Sequence, residues 1–126
     1  DSIYTMLRNK NTRKALIKNI KTVLDTNDFQ GINIDFENLP KGTQPYLVQF
    51  SKELYETIHP DGYLATIDIN PTDEGVMYKD LSPYYDFIFL MAGISTVVTI
   101  ETPPIHRITA MTCITRASVK YSIISV

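Results

Sequence analysis

The alternation of apolar and polar side chains over residues 31–37, Gly-Ile-Asn-Ile-Asp-Phe-Glu, constrains the fold more than any other feature of the sequence. Successive side chains of a β-strand point to opposite faces, so this period of two predicts a strand whose polar face carries Asn33, Asp35 and Glu37. A surface strand with its polar side in water would have the same pattern. The acids stand at the carboxyl end of the strand, where parallel α/β sheets and barrels assemble their sites, and this favours a functional strand.

Two amphipathic helices are predicted around this strand. The first spans residues 12–24, with Asn11 or Thr12 as its N-cap, and the second spans residues 44–58. The basic side chains of the first helix are expected on a solvated face: Arg13, Lys14, Lys18 and Lys21.

Two further strands are predicted, over residues 63–69 and 86–92, and the last is apolar on both faces, as buried parallel strands are. The order of elements predicts an α/β fold that corresponds to about half of a (β/α)8 TIM barrel, with parallel strands near 31–37, 63–69 and 86–92. A whole barrel takes about 250 residues. The 126 residues therefore leave three alternatives: a barrel fragment, pairing with another copy, or a smaller open sheet.

Composition and charge narrow the class of partner. The net charge of −2 gives no basic footprint for nucleic acid. The longest largely apolar run, residues 87–98, is shorter than the roughly 20 residues of a membrane-spanning helix. The first residues show no signal-peptide pattern, and the single Cys113 excludes an internal disulfide framework. We therefore expect neither nucleic acid nor a membrane as partner.

The segment from residue 31 to residue 38 resembles the active-site strand of glycoside hydrolase family 18, the chitinase-like enzymes, whose motif reads Asp-Gly-x-Asp-x-Asp-x-Glu. Gln30 and Asn33 stand where the motif has Asp. The form Asn-Ile-Asp-Phe-Glu-Asn is similar to the sporulation and spore-germination subgroup, which acts on peptidoglycan or related N-acetylglucosamine polymers. The matching positions are Gly31, Asp35 and Glu37.

The resemblance implies a substrate-assisted, retaining hydrolysis, with Glu37 as general acid and Asp35 orienting the 2-acetamido group of the substrate. An ionised Asp35 would help to keep Glu37 protonated near neutral pH. Asn33, Asp68 and Met91 are expected to contact the substrate. The chemistry requires no metal and no cofactor. The implied partner is a polysaccharide that contains N-acetylglucosamine, and the implied location is extracellular, in the cell wall or on the spore surface, with flanking wall-binding domains in the parent chain.

The sequence departs from the family after Ala92. The family continues with a Tyr-Asp pair that contacts the sugar, whereas this chain continues with Gly93-Ile94. We therefore predict a partial catalytic barrel over residues 1–92 and a divergent tail over residues 93–126. The Thr, Ile and Val content of the tail favours extended structure, with a break at Pro103-Pro104. A divergent native ending and a shifted reading frame would both give such a tail.

Two other functions remain open. The missing Tyr-Asp pair and the extra carboxylate of Asp68 favour a non-catalytic, degenerate carbohydrate-binding relative. Alternatively, Asp35 and Glu37 are oxygen ligands for Mg²⁺ in a phosphoryl-handling protein. The second alternative is the weaker one, because no Gly-rich phosphate loop precedes a helix.

Overall fold

The structure is a computed structural model that describes residues 2–36, 39–69, 78–92, 96–101, 110–116 and 119–125, with the backbone alone for Ser2, Tyr78 and all positions from Leu90 onward. In these ranges it contains three α-helices, namely α1 (Ser2–Arg8), α2 (Lys10–Thr26) and α3 (Gln44–Ile58). The strands are β1 (Gly31–Phe36), β2 (Leu64–Ile69), β3 (Phe87–Ala92), β4 (Thr96–Glu101), β5 (Ala110–Arg116) and β6 (Val119–Ser125). Short 3₁₀ helices span His59–Asp61, Tyr78–Asp80 and Ser82–Tyr84.

The strands form one mixed sheet in the order β4-β3-β2-β1-β6-β5. β1 pairs in parallel with β2, and β2 pairs in parallel with β3. The α3 helix connects the first two strands on the pattern of a βα unit. The predicted α/β fold with three parallel strands is confirmed, and the observed starts of β2 and β3 lie one residue after the predicted ones.

The apolar face of the parallel strands packs against the helices. Ile32, Ile34 and Phe36 of β1 belong to one buried cluster with Ile20 and Leu24 of α2. The helices contribute to this cluster because their apolar residues recur at helical spacing and form one stripe. Full burial of each such side chain contributes about 1.5–3 kcal/mol. From α3 the cluster includes Leu47, Phe50, Leu54 and Ile58, and the rings of Phe36 and Phe50 lie 5.5 Å apart.

The start of α2 differs from the prediction. The N-cap is Asn9, whose side-chain oxygen accepts hydrogen bonds from the backbone N–H groups of Asn11 at 2.8 Å and Thr12 at 3.3 Å. The predicted cap at Asn11 or Thr12 is therefore wrong. The additional helix α1 ends at Arg8, and Asn9 is the only residue between the two helices, so that α2 begins earlier than its apolar stripe indicates.

The position of Arg13 also corrects a prediction. Arg13 does not lie on a solvated face, since it is only 7% exposed. Its Nε lies 2.9 Å from Oε1 of Glu53 on α3, and its Nη1 donates a 2.8 Å hydrogen bond to the carbonyl oxygen of Leu7 on α1. One guanidinium thus connects the three helices, whereas Lys14 and Lys18 are exposed as predicted.

The residues after Ala92 extend the sheet at both edges. β4 pairs antiparallel with β3, β6 pairs antiparallel with β1, and β5 pairs antiparallel with β6. The predicted extended structure is confirmed for these strands. Pro103-Pro104 lies outside the described residues, and the predicted division of the chain near residue 92 stays a prediction.

Candidate functional site

The polar face of β1 meets a polar face of β2. Asn33 is the register partner of Thr66. Asp35 and Asp68 each follow two residues later on the same face, and the charge of Asp35 acts on Asp68. On the other side of β2, Asp68 is the register partner of Phe89 on β3. Residues that are side by side in a sheet point to the same face, so these side chains share the face opposite the helices.

A hydrogen bond between β1 and β2 fixes the deeper part of this face. The Oγ1 of Thr66 donates to the Oδ1 of Asn33 at 2.6 Å, and both residues are fully buried. This bond fixes the orientation of the Asn33 amide, because its oxygen must face Thr66. The amide nitrogen, Nδ2, is then buried without a hydrogen-bond partner among the described residues. A buried donor left unpaired costs about 1–3 kcal/mol.

Asp68 carries a carboxyl group with a perturbed pKa. The pKa of Asp68 is raised to about 6, chiefly by burial; the neighbouring Asn33 amide lowers it, and the negative charge of Asp35 raises it. The Asn33 nitrogen is thus close enough to lower the pKa of Asp68, but it lies outside hydrogen-bonding geometry. A carboxyl with these neighbours changes its charge near pH 6, where general acids and bases operate.

The accessibility of the face increases toward the carboxyl ends of the strands. Asn33 and Thr66 are inaccessible, whereas Asp35 and Asp68, each two residues further along, are partly exposed. The site therefore opens at the edge of the sheet where parallel α/β proteins bind their ligands.

Two aromatic rings of β3 border the carboxyls. Phe87 and Phe89 lie with ring centroids 6.5 Å apart at an angle of 19°, with Phe87 buried and Phe89 partly exposed. They are the register partners of Thr66 and Asp68. Sequence reasoning assigned no role to Thr66, Phe87 or Phe89, although the period of two in β2 and β3 already put them on the faces that carry Asp68 and Met91.

The structure brings together three of the five predicted site residues, namely Asn33, Asp35 and Asp68. Glu37 lies outside the described residues, so its predicted role as general acid stays a prediction. Met91 lies in β3 as the register partner of Val97, and its predicted substrate contact also stays a prediction.

A groove of about 490 Å³ lies on the helical side of the chain, away from the carboxyls. Lysines of α2 and residues of α3 line it, and its walls bring no pair of carboxyls together. It is therefore not the site that the sequence predicts. The lining includes Lys10, Lys14, Lys18 and Lys21 with Glu53 and Thr57.

Two further properties concern the described part of the chain. It contains no cluster of three or more His, Cys, Asp or Glu side chains arranged to hold a metal ion. The predicted magnesium alternative requires Glu37, which is not described, and it stays a prediction. Among the described helices, none combines the length and the apolar character that crossing a membrane requires.

Comparison with known proteins assigns the class. The family model for glycosyl hydrolases family 18 matches residues 1–121. The chain therefore belongs to family 18 of the glycosyl hydrolases. The match extends beyond Ala92, where the resemblance that is visible by eye ends.

Individual relatives agree with the family. The chain is 26% identical over 97 residues to YdhD of Bacillus subtilis, which is named a sporulation-specific glycosylase; the match covers 71% of this chain and 23% of YdhD. It is also 26% identical over 106 residues to the probable chitinase 10 of Drosophila melanogaster, covering 73% of this chain and 5% of that protein. The resemblance to family 18 and to its sporulation subgroup, inferred from residues 31–38, is thus confirmed.

Solved structures show the same fold. The crystal structure of YdhD superimposes with a TM-score of 0.69 at 24% identity, covering 71% of this chain and 32% of the crystallised one. Catalytic domain 2 of the Group II chitinase of Ostrinia furnacalis gives a TM-score of 0.60 at 20% identity, covering 70% and 27%. The chain spans less than a quarter of the length of either relative matched by sequence.

Proposed function

We propose that the protein to which this chain belongs hydrolyses β-linked N-acetylglucosamine polymers of the chitin or peptidoglycan type. One observation carries the proposal: Asp35 lies on the polar face of β1, partly exposed at the carboxyl end of the parallel strands, beside Asp68. Membership of family 18 supplies the reaction class. The names of YdhD and the probable chitinase 10 support the substrate class.

The proposed mechanism is substrate-assisted and retains the anomeric configuration. The acetamido oxygen of the substrate attacks the anomeric carbon while the glycosidic oxygen departs with the proton of Glu37. Asp35 accepts a hydrogen bond from the acetamido N–H and stabilises the positive charge of the oxazolinium-type intermediate. Water then attacks the anomeric carbon, opens the ring of the intermediate, and returns a proton to Glu37. Asp35 and Glu37 are two residues apart in an alternating segment. An ionised Asp35 would favour retention of the proton on Glu37, which supports this division of roles.

The test is release of reducing sugar from N-acetylglucosamine oligomers and from peptidoglycan by the full-length protein and by its Glu37→Gln variant. Loss of a general acid lowers the rate by about 10²–10⁴, so the variant should be nearly inactive. Glu56→Gln is the matched control, because Glu56 is exposed on α3 and the substitution removes the same charge. Equal activity of Glu37→Gln and the unmodified protein would contradict the mechanism.

A second candidate function is carbohydrate binding without turnover. Two observations favour it: Asp68 adds a carboxyl beside Asp35, and Gly93-Ile94 follows β3 where the family has Tyr-Asp. Loss of such a preorganised contact can lower a rate by about 10² or more. Calorimetric binding of an N-acetylglucosamine oligomer, without hydrolysis on long incubation, would favour this function over the first.

A further inference from the structure

The carboxyls of Asp35 and Asp68 form a pair whose members differ in their surroundings. Asp68 interacts with the charge of Asp35 on β1, and its register partner on β3 is the aromatic residue Phe89. An aromatic neighbour cannot hydrate a charge, so it adds to the burial that disfavours ionisation of Asp68. Asp35 is one strand further from that ring. Of the two carboxyls, Asp68 is therefore the one that is protonated.

We propose that Asp68 is a positioning residue that keeps a proton beside Asp35 and donates it in a hydrogen bond to the Asp35 carboxylate. As a result, the other oxygen of Asp35 faces the acetamido group of the substrate. The proposal rests on the proposed function, since it assigns to Asp68 the orientation of a group of that mechanism. No proton leaves Asp68 during turnover. A carboxylate held on one side by a short O–H···O⁻ bond has fewer accessible orientations, and such charge-assisted bonds are about twice as strong as neutral ones.

The amide of Asn33, in the buried part of the same face, also acts on the pKa of Asp68. Its oxygen is occupied by the hydroxyl of Thr66, which turns its unpaired nitrogen toward the side of Asp68. An amide N–H₂ stabilises the anionic form of a neighbouring carboxyl. It therefore lowers the pKa of Asp68 against the effects of burial and of the Asp35 charge, and the pKa of Asp68 is about 6.

The groups that face Asp68 from the neighbouring elements define its titration. From β1 these are the carboxylate of Asp35 and the neutral amide of Asn33, and from β3 the register partner is the neutral Phe89. Lys120 on β6 occupies the register position beside Asp35, two strands away from Asp68. Among the described residues, Asp35 is thus the charge that acts directly on Asp68.

The first test measures the titration itself and does not require activity. In carboxyl-carbon NMR of the full-length protein, Asp68 should titrate with a midpoint at about pH 6. Asp35→Asn should lower this midpoint, because the neighbouring negative charge is removed. Asp28→Asn should leave it unchanged, since Asp28 is exposed and precedes β1 at its other end. A midpoint of Asp68 near the ordinary value of about 4, or one that Asp35→Asn leaves unchanged, would overturn the proposal.

The second test measures kcat/KM for an N-acetylglucosamine oligomer between about pH 5 and pH 8. The unmodified protein should lose kcat/KM as Asp68 ionises near pH 6. Asp68→Asn retains a neutral donor, so its value at about pH 5 should stay within about threefold and the decline near pH 6 should disappear. Asp68→Ala removes the donor and should lower kcat/KM at about pH 5 by about tenfold or more.

The two tests separate the two proposals. If Asp68 titrates as expected and responds to Asp35→Asn but no oligomer is hydrolysed, the proposed function is overturned and the carboxyl pair stands. If the protein is active and Asp68→Asn keeps the decline near pH 6, the positioning role is overturned and the proposed function stands.

Discussion

The hydroxyl of Thr66 donates a 2.6 Å hydrogen bond to the side-chain oxygen of Asn33, and neither residue is accessible to solvent. This bond is additional to the backbone ladder of β1 and β2, and it joins their polar faces one step below the two carboxyls. The geometry of Asn33 is therefore set by a residue that is 33 positions away in the chain. Loss of the bond should lower the stability of the sheet and change the orientation of the Asn33 amide in the buried part of the site.

Thr66→Val should lower the free energy of unfolding by about 1–3 kcal/mol, because it leaves the Asn33 oxygen buried and unpaired while the shape of the side chain is kept. Thr66→Ser keeps the hydroxyl and should cost less. Urea unfolding of the full chain, followed by circular dichroism, measures both. Equal stability of the two variants would mean that the hydrogen bond contributes nothing.

The stability of the chain should depend on the protonation of Asp68. Its pKa in the folded state, about 6, lies above the value of about 3.9 in an unfolded chain. The folded state therefore binds more protons than the unfolded state between about pH 4 and pH 6, and stability falls as pH rises through this window.

Asp68→Asn should remove this loss. Because Asp68 is partly exposed and solvent screens its charge, we expect about 1–2 kcal/mol of stabilisation above about pH 7 and almost none below about pH 4. Chemical unfolding at a series of pH values measures the difference, and Asp28→Asn provides the control at an exposed site. A stabilisation of the same size at every pH would exclude ionisation as its cause.

Gly31 at the start of β1 leaves no room for a side chain. A Cβ at this position would overlap the carbonyl oxygen of Leu64 and lie 2.7 Å from the Leu64 Cβ. Gly31→Ala should therefore lower the free energy of unfolding by about 3 kcal/mol, because both clashing atoms belong to Leu64 of the paired strand β2.

Gly42→Ala is the comparison for Gly31→Ala. Gly42 has φ of +91° and no neighbouring atom within 4 Å of an added Cβ, so only the backbone penalty of about 1 kcal/mol applies. Thermal or urea unfolding should rank Gly31→Ala as the more damaging variant. The reverse order would contradict the close approach of β1 and β2.

The Arg13 side chain should be the most sensitive basic position of α2. Arg13→Ala removes the ion pair with Glu53 and the hydrogen bond to the Leu7 carbonyl, and should cost about 2–4 kcal/mol. Burial alone would raise the pKa of Glu53, but its bonds to Arg13 and Gln49 lower it overall, so the variant should also raise the pKa of Glu53.

The matched control for Arg13→Ala is Lys14→Ala. Lys14 is the adjacent basic residue and is exposed, so its removal should change stability by no more than about 0.5 kcal/mol. Denaturant unfolding measures both variants. An equal, small effect of the two would mean that Arg13 is solvated after all.

The features that the sequence predicts well are those that local periodicity determines. The alternation of Ile32, Asn33, Ile34 and Asp35 sets the two faces of β1 before any partner is known, and the apolar stripe of residues 44–58 sets α3. The family motif lies on the same strand, so the predicted site and the predicted fold share their strongest signal.

The features that the sequence does not predict depend on partners that are distant along the chain. Burial of Arg13 requires Glu53, which is 40 positions away, and its local pattern is that of an exposed helix residue. The bond from Thr66 to Asn33 and the pairing of Asp68 with Phe89 follow from the register of the strands, which periodicity alone does not fix. The partners of the edge strands are undetermined for the same reason.

The arrangement of the outer strands has a consequence for assembly of the family's barrel. In the described sheet, β1 is hydrogen-bonded on both sides, to β2 and β6, and β3 is hydrogen-bonded on both sides, to β2 and β4. The backbone groups of the parallel trio are thus already occupied. Another parallel strand can join this trio only by strand exchange, in which it replaces an antiparallel neighbour.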